Sequence, residues 1–185
     1  MAEAQTRDKK VSKLSSRTKV GVRKRRGAGV LLPKGGSEDF PYKFIWTASP
    51  DERVKLIKSG IPARTAKKFF EHFALDQSVT LDALNLKRAT INKKAKNDEP
   101  LAIDDGERVV GLAKLVGQLE TILDNEGVMD PDQAGNFDSF AWMSNWLDQP
   151  LPAFGGRKPI DLLDTMEGQA MVSKALGQIQ SGAYA

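Results

Sequence analysis

Cysteine is absent from this 185-residue chain, and histidine occurs once, at His72. The chain therefore has no disulfide, no thiolate nucleophile and no cysteine metal ligand, and a lone histidine does not make a transition-metal site. No Ser/His/Asp group and no phosphate-binding or dinucleotide fingerprint can be assembled. No apolar run approaches the roughly 18 residues of a membrane span, and no secretory signal opens the chain. We expect a cytoplasmic, non-enzymatic protein without cofactor or metal.

The net charge of +4 conceals a strong asymmetry along the chain. Residues 1–34 contain eleven Lys and Arg against Glu3 and Asp8, a net charge of +9, so residues 35–185 carry −5. Residues 1–38 have few large apolar side chains and are predicted to form a disordered basic arm. Such an arm tracks DNA phosphates in a salt-dependent way or is a solvated tail without a role. A transit peptide or nuclear signal at Arg23 to Arg26 also fits the composition, but no other feature supports it.

Helix signals begin after the arm. Ser49 and Pro50 suit a helix start and Gly60 a helix end, which predicts a helix over 50–58. Pro62 opens a second helix, whose aromatic stripe at helical spacing is predicted to lie in the core. The stripe consists of Ala66, Phe69, Phe70 and Phe73.

A helix-turn-helix pattern follows, with a short helix over 78–84, a tight turn at Asn85-Leu86 and a second helix over 87–96. Its small shared core is predicted to contain Val79, Leu81, Leu84, Leu86 and Ile91. If the second helix enters the major groove, Arg88 can pair with guanine and Asn92 with adenine while lysines reach phosphates. The predicted DNA-binding residues are Lys87, Arg88, Thr90, Asn92, Lys93 and Lys94. The same geometry also occurs in proteins that never touch DNA.

A long helix is predicted from a capping-box-like start at Asp104 and Glu107 to about Leu123. Its apolar stripe is Val109, Leu112, Val116, Leu119 and Leu123. The stripe fits packing within the domain or a homodimer seam, and two heptads do not decide between them. Gly111 and Gly117 weaken the helix but permit close approach of a neighbour.

Residues 124–137 are predicted to form a loop, whose acidic residues miss the spacing of an EF-hand. Three helices are expected beyond it. Phe140, Met143 and Leu147 line the first, Pro159 starts the second, and Thr165 caps the last. Between the first two, residues 155–158 (GGRK) superficially resemble a phosphate loop, but no strand precedes them, so a turn is expected.

Together, three segments resemble the Xre/MbcA/ParS antitoxin family over roughly residues 60–185. They are residues 84–91 (LNLKRATI), Trp146-Leu147 with residues 154–165 (FGGRKPIDLLDT), and residues 179–185 (IQSGAYA). Asn85 and Lys87 depart from the pattern, because the family tends to have Gly and Ser there. The resemblance implies an antitoxin of a bacterial type II system that neutralises a NAD-consuming RES-domain toxin and represses the shared operon.

The resemblance also implies site residues. The toxin-binding scaffold would comprise Trp146, Leu147, Pro159, Leu162, Leu163 and Gly182, some of which also serve the core. The chain end, Ala183, Tyr184 and Ala185, would plug the NAD pocket of the toxin. The expected partners are the cognate RES-domain toxin, operator DNA and a second copy of this chain.

The expected fold is all-α. It consists of the arm (1–38), a helix-turn-helix domain for DNA binding and dimerisation (45–124) and a small toxin-binding domain (138–185). The alternative function is a stand-alone helix-turn-helix transcription factor or DNA-organising protein without a toxin. An adjacent gene for a lethal protein would favour the antitoxin, and its absence would favour the alternative.

Overall fold

A computed structural model describes residues 40–125 and 137–180. The expectations for the basic arm, for most of the 124–137 loop and for Gly182, Ala183, Tyr184 and Ala185 lie outside these residues. The described chain forms α-helices and two 3-10 helices and contains no strand, which confirms the all-α fold. The α-helices are α1 (Tyr42–Thr47), α2 (Pro50–Ser59), α3 (Ala63–Glu71), α4 (Gln77–Ala83), α5 (Arg88–Lys96), α6 (Ile103–Asn125), α7 (Ser139–Leu147) and α8 (Met166–Gln180).

The starts of α2 and α3 follow the sequence signals. Ser49 caps α2, and the Ser49 amide donates a 2.8 Å hydrogen bond to the Glu52 carboxylate, which completes a capping box. The aromatic stripe of α3 is buried, as predicted. Phe69 packs edge-on against Phe73 with ring centroids 5.4 Å apart.

The helix-turn-helix is formed by α4, the Asn85-Leu86 turn and α5. Asp76 caps α4 through a 2.7 Å hydrogen bond from the Ser78 amide, so this helix begins one residue earlier than predicted. Asn85 has φ +51°, a left-handed conformation that Asn tolerates better than most residues. The prediction for Val79 is wrong. Its side chain is 43% exposed, whereas Leu81, Leu84, Leu86 and Ile91 are buried.

The central element is α6, but it begins earlier than predicted. The Gly106 amide already donates to the Ala102 carbonyl at 2.8 Å, so Asp104 lies in the first turn and is not a capping residue. Val109, Leu112, Val116 and Leu119 are at most 4% exposed in the single chain. Of the two alternatives for this stripe, packing within the chain therefore accounts for these four residues.

The helix α1 has no counterpart among the predictions. It lies along α6, and the close approach depends on Gly117, where an added Cβ would overlap the Tyr42 carbonyl oxygen. At the α1 C-terminus, the Arg53 guanidinium hydrogen-bonds the Ile45 carbonyl at 3.2 Å and also the Ala48 carbonyl. These bonds satisfy carbonyls that a helix end leaves without intrahelical partners.

The C-terminal helices also pack against α6. Asp138 caps α7, and the Thr165 hydroxyl accepts a 3.1 Å hydrogen bond from Gly168, so Thr165 caps α8 as predicted. Two 3-10 helices, Pro152–Phe154 and Pro159–Leu162, lie between them. One continuous apolar core extends from Phe40 to Leu176 through α6. None of the described helices has the length and apolarity of a membrane span.

Candidate DNA-binding and partner-binding surfaces

The helix α5 presents a polar, basic face. Ile91 and Ala95 are 2% and 8% exposed and anchor α5 in the core, largely against α3. The opposite face is therefore free for solvent or DNA. Of the predicted DNA-binding residues, Thr90 and Lys94 are half-buried, and the exposed ones are Lys87, Arg88, Asn92 and Lys93.

Lys94 has a structural partner that the sequence did not indicate. Its ammonium donates a 3.0 Å hydrogen bond to the Pro100 carbonyl and so joins the end of α5 to the segment before α6. One of the three N–H groups of the Lys94 ammonium is therefore already used in a hydrogen bond within the chain. Lys93 and Lys96 stay exposed on the same helix.

Arg88 at the start of α5 lies within electrostatic range of Asp76 at the start of α4. The pKa of Asp76 is lowered mainly because the hydroxyl and the amide of Ser78 donate to its carboxylate, and the Arg88 charge adds a smaller effect. Lys87 occupies the cap position of α5, where its side chain makes no capping hydrogen bond. This agrees with the departure from the family pattern at Lys87.

The predicted toxin-binding residues divide into two groups by burial. Leu147 and Leu163 are each 1% exposed and Pro159 is buried, so these side chains form core under the surface. Trp146 and Leu162 are half-buried. Among the members of this set that the structure describes, only Trp146 and Leu162 can reach a partner without rearrangement of the chain.

Trp142 was missed as a candidate residue. It stacks on Trp146 one helical turn later, with ring centroids 6.0 Å apart and an interplanar angle of 11°. Both rings are half-buried on one side of α7. The i, i+4 spacing of the two tryptophans was the available signal. Large aromatic side chains with a partly exposed face are frequent anchors of protein interfaces.

The segment after α7 is a turn, as predicted from Gly155 and Gly156. Both glycines have positive φ, +64° and +82°, which L side chains rarely adopt. The Gly156 amide donates to the Leu151 carbonyl at 3.0 Å and closes the turn. Lys158 lies 2.9 Å from an Asp148 carboxylate oxygen, so its ammonium ties the turn to the end of α7. No group of His, Asp or Glu in the described ranges is placed to hold a metal ion.

Comparison with known proteins agrees with this two-part arrangement. Residues 52–114 match the antitoxin Xre-like helix-turn-helix domain, and residues 137–182 match the antitoxin Xre/MbcA/ParS C-terminal toxin-binding domain. The chain is 52% identical over 170 residues to the "Prs ADP-ribosylating antitoxin" of Sphingobium sp., which covers 92% of this chain and 99% of that protein. It is 25% identical over 93 residues to "Antitoxin Xre" of Pseudomonas putida, 50% of each chain. The chain belongs to the Xre/MbcA/ParS antitoxin family and is the antitoxin of a toxin-antitoxin system, with a helix-turn-helix domain.

Proposed function

We propose that the C-terminal domain, residues 138–185, neutralises a NAD-consuming RES-domain toxin by covering its substrate entrance. The observation that carries this proposal is the exposed apolar surface of α8. Met166, Met171 and Ile179 are 45%, 40% and 37% exposed. They lie on α8, which is part of the segment that matches a toxin-binding domain. Covering such exposed apolar side chains with a partner removes them from water, which makes the association more favourable.

The reaction of the toxin is proposed from the relative. The name of the Sphingobium protein, "Prs ADP-ribosylating antitoxin", links an antitoxin with ADP-ribosylation. ADP-ribosyl transfer takes its ADP-ribose from NAD, so a toxin of that activity consumes NAD. We assign the cognate toxin of this chain to the same class, with residues 182–185 as the segment that enters its NAD pocket.

The second role is repression of the shared operon. The exposed face of α5 has the residue types that read base edges, Arg88 and Asn92, beside lysines that reach phosphates. A homodimer of the helix-turn-helix domain, residues 45–124, would place two copies of α5 in successive major grooves. The antitoxin would thus act in the bacterial cytoplasm and associate with the nucleoid when it binds its operator.

The proposal is tested by co-expression of the toxin encoded next to this gene with the full chain or with a chain that lacks residues 182–185. We expect the full chain to copurify with the toxin, to restore growth and to preserve cellular NAD. The shortened chain should fold and bind DNA like the full chain but leave NAD depleted. Full protection by the shortened chain would refute the plug, and failure of the full chain to bind any toxin would refute the neutralisation itself.

A further inference from the structure

A groove of about 680 Å³ separates the helix-turn-helix from the toxin-binding domain. One wall is α4 with the turn after it, and the other is the second 3-10 helix with the residues that follow. The first wall contributes Val79, Asp82 and Asn85, and the second contributes Ile160, Asp161 and Asp164. We call this feature the acidic groove.

The residues that line the acidic groove give it a negative charge. Three carboxylates line it, and no Lys, Arg or His is among the lining residues. Asp161 accepts a 3.3 Å hydrogen bond from the Lys158 amide. The side-chain carboxylates of Asp82 and Asp164 have no hydrogen-bond or ion-pair partner within the part of the chain that the structure describes. A cationic ligand would therefore meet two carboxylates, those of Asp82 and Asp164, that no described protein group already occupies.

The groove also offers apolar contact. Val79 is 43% exposed, although the sequence places it at a core position of the helix-turn-helix, and Ile160 forms part of the opposite wall. Carboxylates beside an exposed aliphatic side chain suit an extended segment in which cationic and aliphatic residues alternate. A highly charged peptide without apolar residues would leave Val79 uncovered.

A segment of that chemistry belongs to this chain. Residues 17–26 (RTKVGVRKRR) contain six cationic residues and no acidic one, with Val20 and Val22 among them. We propose that residues 17–26 dock in the acidic groove of the same molecule, with the cationic side chains at Asp82, Asp161 and Asp164 and a valine on Val79. The remainder of the chain also attracts this segment, because residues 35–185 carry a net charge of −5.

The connection is long enough for this contact. The described chain begins at Phe40, which is 5% exposed and packs on Phe69 with ring centroids 5.0 Å apart. Residues 27–39 can span about 43 Å when extended, whereas a folded chain of 185 residues has a radius of gyration of about 16 Å. Tethering makes the association intramolecular, at an effective concentration in the millimolar range. Weak, exposed ion pairs are then sufficient for measurable occupancy.

Docking here would affect DNA binding. Asn85 lines the groove and stands two residues before Lys87, the start of the DNA-facing part of the chain. DNA phosphates and the acidic groove are polyanions that compete for the same cationic segment. In the free antitoxin, the docked residues 17–26 therefore neutralise carboxylates that lie beside α5. When α5 binds DNA, residues 17–26 leave the acidic groove and bind DNA phosphates instead.

Paramagnetic relaxation tests the contact in the full chain. Because the chain has no cysteine, Thr18→Cys introduces one unique attachment site for a nitroxide label. The label should broaden the amide resonances of Val79, Ala83 and Ile160 at an ionic strength of about 0.01 M, and the broadening should disappear at about 1 M, where charges are screened within about 3 Å. A short random-sequence DNA duplex at low salt should also remove it.

The control is a matched pair of charge variants. Asp82→Asn/Asp164→Asn should lower the relaxation enhancement at the groove amides on the order of fivefold, because two exposed ion pairs are lost. Glu71→Gln/Glu167→Gln removes two exposed carboxylates outside the groove and should leave the enhancement unchanged. Absence of broadening at the groove amides, or broadening that persists in the groove variant, overturns the proposal. Either result leaves toxin neutralisation, measured separately, intact.

Discussion

Gln118 and Ser173 hydrogen-bond each other across the contact between α6 and α8. The Ser173 hydroxyl donates to Gln118 Oε1 at 2.6 Å, and Gln118 Nε2 donates to the Ser173 carbonyl at 2.9 Å. Gln118 is only 5% exposed, so its amide depends on these two bonds. A buried amide is favourable only while it is hydrogen-bonded. The pair therefore fixes α8, the longest helix of the toxin-binding domain, to the helix that also supports the helix-turn-helix.

We expect Ser173→Ala to lower the free energy of unfolding by about 1–3 kcal/mol, because Gln118 Oε1 then has no donor. Gln118→Leu combined with Ser173→Ala should recover part of this loss, since both polar partners are removed together. Urea unfolding measures the free energy of unfolding of the single and the double variant. Lys174→Ala on the exposed side of α8 is the control and should change stability by less than about 0.5 kcal/mol. Equal effects of Ser173→Ala and Lys174→Ala would contradict the role of the pair.

The two glycines Gly117 and Gly106 of α6 should respond differently to alanine. An added Cβ at Gly117 would overlap the Tyr42 carbonyl, a backbone atom that cannot move alone, whereas at Gly106 the nearest atom is Ile61 Cγ1 at 3.2 Å. Gly117→Ala should destabilise the protein by about 1–3 kcal/mol, in spite of the better helix propensity of alanine. Gly106→Ala should be close to neutral. Thermal unfolding compares them, and a Gly117→Ala variant as stable as the native chain would disprove the steric role.

Local signals in the sequence predicted much of the fold. The cap at Ser49, the tight turn at Asn85-Leu86 and the aromatic stripe of α3 depend on neighbours within a few residues, so their spacing in the sequence is informative. The match of residues 154–165 to the antitoxin family likewise rests on a contiguous motif. These features identified the helix-turn-helix and the toxin-binding domain before any tertiary contact was known.

Contacts between distant segments could not be predicted in the same way. Val79 was placed in the core because it continues an apolar pattern, but it borders the acidic groove, whose other wall is some eighty residues later at Ile160. The bond from Lys94 to the Pro100 carbonyl depends on the path of the loop after α5. The sequence indicated that Gly117 permits close approach of a neighbour, but it did not identify α1 as that neighbour.

The turn between α4 and α5 gives a prediction at Asn85. Its φ of +51° is costly for most L residues, and Asn and Gly tolerate it best. Asn85→Ala should lower the free energy of unfolding by about 1 kcal/mol, whereas Asn85→Gly should be neutral within a few tenths. Chemical denaturation measures both variants. If alanine and glycine behave alike, the left-handed backbone is not a constraint on this turn.

The cap of α4 predicts a pH dependence of stability. Hydrogen bonds from Ser78 hold the pKa of Asp76 below its ordinary value of 3.8. Because the folded-state pKa lies below the unfolded one, this contribution is complete above pH 3.8 and is lost as the pH falls through the folded pKa. The stability difference between the native chain and Asp76→Asn should therefore shrink in acid. Urea titrations at pH values above and below 3.8 measure it. A difference that does not change with pH would show that the ionised cap does not matter.

The last prediction separates base reading from phosphate binding on α5. Arg88 and Lys93 are both exposed, whereas Lys94 is partly held by Pro100. Arg88→Ala should weaken binding to the promoter of the operon roughly tenfold to a hundredfold and bring it close to the affinity for scrambled DNA.

Lys93→Ala should weaken binding to both DNAs alike and reduce the slope of log affinity against log salt by about 1. Lys94→Ala should lower stability as well as affinity, because its bond to the Pro100 carbonyl is lost. Fluorescence anisotropy over a range of salt concentrations gives all these values. If Arg88→Ala and Lys93→Ala both bind promoter DNA like the native chain, α5 is not the DNA-reading helix, and the repressor role must be assigned to another surface.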